Sequence, residues 1–319
     1  MQLRPFGNTN ENVSVIGLGS GFLNYHSYAD GIATVRHALE LGVNYFDTSP
    51  AYGQGASQAI FGEALEGRPE KYLLATKLGY FSQSSSYHSP AAFSAQLDDN
   101  LRLLRREQVD VLQVHESDWR GWWTNESPPN IYVDPQREYD FGAGEVIPFL
   151  HIARAEGRCR FIGITGNHAD DVGRVLSAVN VNAVLIAFCF DLIWRGARTR
   201  VLPVAGEKGV AVVLAAVLQN ARLAEVRRDW LESPPEWMDD IVRERFAKLY
   251  DIQSECGLSL VELSIRFILG EPSVSTILVG AARPEEIEQS VAAAEAGPLP
   301  PDLQQALEEI GLEQPHPFF

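Results

Sequence analysis

GVNYFDTSPAYG, residues Gly42 to Gly53, sets a short apolar run, Val43 to Phe46, directly before Asp47, and follows it with a turn carrying Ser49 and Pro50 and then Tyr52. A buried strand that ends in an acid and turns into a tyrosine calls for a chemical reason. A phenol with an ordinary pKa near ~10 is a poor proton donor at neutral pH unless a neighbour lowers that value. A cation would do so, and a carboxylate would hold the cation in place. The stretch therefore predicts a strand end with Asp47 and Tyr52 on it and a cation from elsewhere in the chain.

Working outward, the same pattern of a short apolar run closed by a small, polar or glycine residue recurs along the chain. The runs are Val13 to Leu18, Tyr45 to Thr48, Leu73 to Lys77, Val109 to His115, Phe161 to Gly166, Ala183 to Phe188, Val210 to Ala216 and Ser275 to Gly280. Helical patterns separate them, among them Gly31 to Leu41, Gln58 to Leu65 and Pro90 to Leu104. Near-continuous apolar strands alternating with helices specify a parallel sheet buried on both faces. Eight of them close a (β/α)₈ TIM barrel, one domain over residues 1–319. An open doubly wound sheet is the alternative, but GLGSG, Gly17 to Gly21, has the wrong spacing for a dinucleotide fingerprint.

Two connections exceed what a barrel requires. Glu116 to about Gly144 follows the fourth strand and carries Trp119, Trp122 and Trp123; Arg222 to about Trp237 follows the seventh. Loops of such length usually bind or cover something.

Composition narrows the partners. Across 319 residues, 26 basic side chains stand against 42 acidic ones, a formal charge of -16, which repels phosphate backbones and anionic membranes. No nucleic acid or membrane partner is expected. There is no apolar run of about 18 residues and no secretory h-region near MQLRPFGNTN, so a soluble, cytoplasmic protein is expected, monomeric or homo-oligomeric. Cys159, Cys189 and Cys256 are odd in number and widely spaced, which reads as packed thiols rather than a disulfide framework or a metal site.

In a barrel the C-terminal strand ends share one face. The second strand brings Asp47 and Tyr52 there, the third Lys77 and the fourth His115. Lys77 is the cation the opening stretch asks for: beside Tyr52 it favours the phenolate, while Asp47 balances its buried charge. His115 can donate to or polarise the same substrate oxygen. Singly, each has an ordinary reading as turn cap, rim aromatic, snorkelling lysine or core histidine. Four at three consecutive strand ends are better explained as one catalytic site.

With NYFDTSPAYG, ATKLG and VDVLQVH in these settings, the chain resembles the aldo-keto reductase superfamily over nearly its whole length. The resemblance implies a (β/α)₈ barrel binding NAD or NADP in an extended pose, with hydride passing between the nicotinamide and a carbonyl or alcohol carbon. It assigns Tyr52 as general acid in reduction and general base in oxidation, with Lys77 and His115 assisting and Asp47 holding the lysine. It places Gly19, Ser20 and Gly21 near the nicotinamide together with Asp47. It puts Thr165 and Gly166 where the family often has Ser-Asn against the carboxamide, with Asn167 as a substitute contact because Ala187 stands where a glutamine is frequent. Gln219, Asn220 and Ala221 match the pyrophosphate loop, where backbone N–H groups would bind. Gly280, Arg283, Glu286 and Ser290 fall at the adenosine end. A carboxylate at Glu286 repels a 2'-phosphate and accepts from a ribose hydroxyl, which favours NAD, although Arg283 could pair with a phosphate or be an ordinary solvated arginine.

Within that superfamily the chain is most similar to the bacterial branch of aldose 1-dehydrogenases, fucose and galactose dehydrogenases and pyridoxal 4-dehydrogenase, with Phe190 in place of an expected tyrosine. The substrate is then expected to be a small polyhydroxylated carbonyl compound contacting Tyr52, His115, Trp119, Trp122 and Trp123. The tryptophans would stack on a ring, or else form a hydrophobic lid or subunit contact. A broad-specificity aldehyde or ketone reductase and a nicotinamide-binding regulatory subunit are the rival readings.

Overall fold

The runs read from the sequence become parallel strands of one closed barrel. In a computed structural model, which describes residues 1–313, β3 (Ile16–Gly19), β4 (Tyr45–Asp47), β5 (Leu73–Leu78), β6 (Val109–Val114), β7 (Cys159–Gly166), β8 (Ala183–Ala187), β9 (Ala211–Ala215) and β10 (Thr276–Gly280) pair in sequence order, and β10 closes on β3. Residues 314–319 of the expected domain lie outside the described residues.

Alternation along each strand sorts its side chains into two cores. Tyr45, Leu73, Ala75, Val111, Leu185, Val213 and Leu278 pack inside the barrel. Their neighbours Phe46, Leu74, Leu112, Ile186, Leu214 and Ile277 join the layer beneath the helices. Because the inward set repeats every second residue, Asp47, Lys77 and Gln113 continue the inward columns of β4, β5 and β6 at their C-terminal ends.

The first expected strand is corrected. Val13 to Leu18 does not run on as one element: β1 (Leu3–Pro5) and β2 (Asn12–Ser14) form a separate antiparallel hairpin, and only Ile16 onward enters the barrel. Ser14 marks the break, since its N–H donates to Asn44 Oδ1 at 2.6 Å and its hydroxyl to Ile16 O at 2.6 Å. Just after the first strand of the hairpin, Phe6 enters the barrel interior, 5.4 Å from the Tyr45 ring and 6.3 Å from Phe161, and stoppers its N-terminal end.

Helices α1 (Tyr28–Glu40), α2 (Ala56–Leu65), α3 (Pro90–Leu103), α4 (Val146–Ala155), α5 (Ala169–Ala178), α6 (Gly196–Arg200), α7 (Leu202–Lys208), α8 (Asp229–Glu232), α9 (Asp240–Cys256), α10 (Leu260–Leu269), α11 (Pro284–Glu295) and α12 (Pro301–Glu309) complete the chain order.

 

Sequence-local signals start and stop these helices. Ser27, Ser89 and Asp239 cap α1, α3 and α9 by accepting from Asp30, Ala92 and Val242 N–H groups, and Ser259 caps α10 (Leu260–Leu269) by accepting from Glu262 N–H. Glycines in the left-handed region, Gly209 and Gly257, end α7 and α9. The two long connections stand where expected: β6 ends at Val114 and α4 begins at Val146, while the segment after β9 reaches Asp240 with only the single turn of α8 inside it. Among the described residues no helix is long and apolar enough to cross a membrane.

Candidate active site

Asp47, Lys77 and His115 are buried at 2, 1 and 4 % exposure, within one residue of the ends of three adjacent strands. The Lys77 ammonium donates to Asp47 Oδ1 in a short contact and to Thr48 O at 2.9 Å, and lies 5.1 Å from the centre of the Tyr52 ring. Tyr52 stands edge-on to His115 with ring centres 5.7 Å apart. It opens a 3-10 turn, Tyr52–Gly55, in which Gly53 takes φ 58 and a Cβ there would fall 2.7 Å from Asn24 Nδ2. Glycine at 53 thus lets the chain turn tightly enough to aim the tyrosine across the barrel mouth. The four residues singled out in the sequence are brought together.

Two further groups hold this cluster and were not assigned from the sequence. Gln113 Nε2 donates to Asp47 Oδ2 at 2.8 Å, so each carboxylate oxygen has its own donor. Ser49 Oγ accepts from Ala51 N–H at 3.1 Å and lies 3.0 Å from His115 Nδ1. A Ser49 hydroxyl donating to Nδ1 leaves the ring proton on Nε2, which faces Glu116 Oε1 at 3.9 Å. Neither Gln113 nor Ser49 carried a signal in the sequence beyond its place in a strand or a turn.

Burial sets the protonation states. The His115 imidazole is held well below its ordinary value by desolvation and then by the Lys77 charge, so it is neutral. Desolvation raises Asp47, opposed by Lys77 and Gln113. Tyr52 corrects an expectation: its phenol lies well above, not below, the ordinary value, because desolvation dominates and the Asp47 and Glu116 carboxylates add to it. The ammonium expected to stabilise a phenolate is already engaged by Asp47 and Thr48.

The residues assigned to the cofactor fall into two groups. One group leaves room and donors for it. Gly21 has open space where a Cβ would stand, and Gly19 meets only ordinary contacts. Ser20 hangs its N–H on Asp47 O at 3.0 Å, yet its buried hydroxyl finds no hydrogen-bond partner among the described residues. Gln219, Asn220 and Ala221 all take left-handed φ, between 51 and 70. Among the described residues, the N–H groups of Asn220 and Ala221 engage no acceptor, which suits an anion at this turn. These features fit a dinucleotide lying from β3 toward β9 and α11.

The other group is occupied by the protein itself. Thr165 Oγ1 accepts from Glu116 N–H at 3.1 Å. The Gln219 side chain donates to Phe188 O at 2.8 Å and to the Asp191 carboxylate, so it supports its loop from beneath. Ser290 donates to Glu286 O at 3.0 Å. Asn167 Nδ2 donates to Glu116 Oε2 at 2.6 Å. A Cβ on Gly166 would sit 2.4 Å from Val172 Cγ2 and 2.8 Å from the Asp118 carboxylate, which explains why glycine departs there from the family's asparagine. Gly280 ends β10 under Phe22, whose ring a Cβ would meet at 2.5 Å. Arg283 is exposed at the start of α11, and Glu286 reaches back to accept from Ala282 N–H at 2.7 Å.

The three tryptophans do not act alike. Trp122 is fully buried against Phe81, Tyr87 and Phe93, and its Nε1 donates to His115 O at 2.9 Å. The expectation that it touches substrate is therefore corrected: it props the histidine from below. Trp123 is partly buried, packs on Phe141 and donates to Ser117 O at 2.8 Å. Trp119 lies nearest the mouth, 4.9 Å from the Tyr80 ring, which in turn lies 4.5 Å from His115. A cavity of about 630 Å³ adjoins the site through Asn167 but lies between α5, α6 and Tyr132, and none of the four clustered side chains lines it. The chemistry therefore marks the site, and the cavity is a neighbour.

Comparison with known proteins agrees with this geometry. The family model described as the aldo/keto reductase family matches residues 15–311. An L-galactose dehydrogenase of Arabidopsis thaliana is 29% identical, covering 98% of this chain and 91% of its own. A pyridoxal 4-dehydrogenase of Microbacterium luteolum is 26% identical over 90% of this chain and 91% of its own. The holo form of an aldo-keto reductase from Bacillus halodurans superposes with a TM-score of 0.77 at 24% identity, covering 98% of this chain and 97% of its own, a likeness of fold.

Proposed function

The chain belongs to the aldo/keto reductase family and is an oxidoreductase, and from that premise we propose that it interconverts a carbonyl and an alcohol on a sugar-like substrate, an aldose, lactol or related polyhydroxylated compound, with Tyr52 as the proton-transfer group. The observation that carries this reading is the buried arrangement of Asp47, Lys77 and His115 around the Tyr52 ring. A bound nicotinamide supplies or takes up the hydride. Gly19, Ser20 and Gly21, the left-handed turn at Gln219 to Ala221 and the start of α11 would hold that cofactor.

The chain's own groups handle the proton. Tyr52, kept protonated by burial, gives its hydroxyl proton to the substrate oxygen in reduction and recovers one in oxidation. Neutral His115 donates a hydrogen bond from Nε2 to that oxygen, which fixes the carbonyl and stabilises charge growing on it. Lys77 sets a positive charge beside the phenol, and Asp47 with Gln113 and Thr48 prevents the ammonium from swinging away. The polyhydroxylated substrate class is supported by the relatives that act on L-galactose and pyridoxal and by the polar and aromatic side chains near the mouth, Trp119, Tyr80 and Glu116. Glu286 supports NAD over NADP, because a carboxylate there opposes a 2'-phosphate.

The test is a panel of sugars, sugar alcohols, pyridoxal and aromatic aldehydes, each with NAD and NADP, followed by nicotinamide absorbance. Sugars or pyridoxal are expected to lead; equal turnover of simple aromatic aldehydes would favour a broad-specificity reductase. Tyr52→Phe is expected to lower kcat by about 10²- to 10⁴-fold, the usual scale of a lost acid–base group, with cofactor binding retained. A near-normal rate in that variant would remove Tyr52 from the proton transfer.

A further inference from the structure

His115 is followed by an acid that the proton-transfer cluster leaves unused. Successive residues of a strand point to opposite faces, yet Glu116 and His115 present their side chains to each other, His115 Nε2 lying 3.9 Å from Glu116 Oε1. The cause is local: Glu116 leaves β6 at φ 53, and its N–H is anchored to Thr165 Oγ1 at 3.1 Å. A left-handed glutamate is sparsely populated backbone that persists only where its surroundings fix it.

The carboxylate is 7 % exposed and bridges two strand ends. Oε1 accepts from Tyr80 OH at 3.1 Å, and Oε2 accepts from Asn167 Nδ2 at 2.6 Å. Among the described residues no lysine or arginine pairs with it. A carboxylate offers about four acceptor positions, and two neutral donors leave it unfilled. It retains acceptor capacity next to the nitrogen that binds the substrate oxygen. In a 2-hydroxy carbonyl compound the second oxygen lies on the adjoining carbon, close enough to the first for one substrate to reach both His115 Nε2 and Glu116 Oε1, which lie 3.9 Å apart.

We propose that Glu116 accepts a hydrogen bond from the substrate hydroxyl next to the reacting carbonyl, so that the site selects 2-hydroxy carbonyl compounds over simple aldehydes of the same skeleton. The inference rests on the assignment of Tyr52 and His115 to the substrate oxygen made above. Tyr80, tilted between the rings of His115 and Trp119, sets an aromatic face beside the same pair of groups. A site built to pair a substrate hydroxyl discriminates strongly against the analogue that lacks it, since the protein group is then left unfilled.

Lactaldehyde and propanal differ only in that hydroxyl. With the full-length protein and NADH or NADPH, the kcat/KM ratio of lactaldehyde to propanal is expected to be about tenfold or more. Glu116→Ala should bring the ratio close to one, and Glu116→Gln to a value between. Because both substrates are measured on the same preparation, partial misfolding of a variant cancels in the ratio. A wild-type ratio near one, or a ratio unchanged in Glu116→Ala while both rates fall together, would overturn the proposal and leave Glu116 as a clasp between Tyr80 and Asn167. Absence of turnover with either aldehyde and with the wider panel would instead overturn the assigned activity, and the inference with it.

Discussion

Tyr52 holds its proton because desolvation of its phenol dominates and the Asp47 and Glu116 carboxylates add to it. The pH dependence follows. A phenol whose pKa is raised stays protonated through neutral pH, so reduction, which needs the proton, should be flat from about pH 6 to about pH 9. Oxidation needs the phenolate and should climb about tenfold per pH unit over the same interval. His115, held well below its ordinary value, adds no acid limb near pH 6. Initial rates in both directions across that interval decide the matter, and an oxidation rate independent of pH would contradict the assignment. Asp47, Tyr52, Lys77 and His115 were legible in the sequence because each interrupts or closes an apolar run. The direction of the Tyr52 shift was not, since burial and the prior engagement of Lys77 are properties of the folded neighbourhood. Gln113 and Ser49 look like any strand or turn residue until the register places them against Asp47 and His115.

At the scale of elements, α11 shows how one side chain serves two ends. Glu286 ties the first turn of its helix to the chain before it through Ala282 N–H and stands where the proposed function puts the cofactor ribose. Glu286→Arg should therefore shift the NADP-to-NAD ratio of kcat/KM by about tenfold toward NADP, as a new ion pair with the phosphate forms. It should also cost about 1 kcal/mol of stability through the lost hydrogen bond to Ala282. Unchanged cofactor selectivity, with the loss of stability alone, would confine Glu286 to holding Ala282. The three bounded helices and most barrel strands were read with small shifts at their ends, because their apolar period is long enough to define them. The division of Val13 to Leu18 was hidden: no change of period marks it, only Ser14 turning its hydrogen bonds to Asn44 and Ile16. The tryptophan loop was found by length, but length could not tell that Trp122 faces Phe81, Tyr87 and Phe93 while Trp119 faces the mouth.

For the whole molecule, the N-terminal hairpin is the part that the eightfold pattern did not announce. It carries Phe6 into the barrel interior, where it is fully buried. Phe6→Ala should destabilise the fold by about 3–5 kcal/mol, the usual cost of emptying a buried aromatic site. Denaturant unfolding would measure it, and a loss below about 1 kcal/mol would mean that the hairpin is not part of the barrel's packing. The same stopper has a kinetic consequence. Among the described residues, Phe6 packed on Tyr45 and Phe161 closes one end of the barrel, so reactants would reach Asp47, Lys77 and His115 from the opposite end. If two of them share that mouth, the deeper one would enter first and leave last, and turnover would run as a queue.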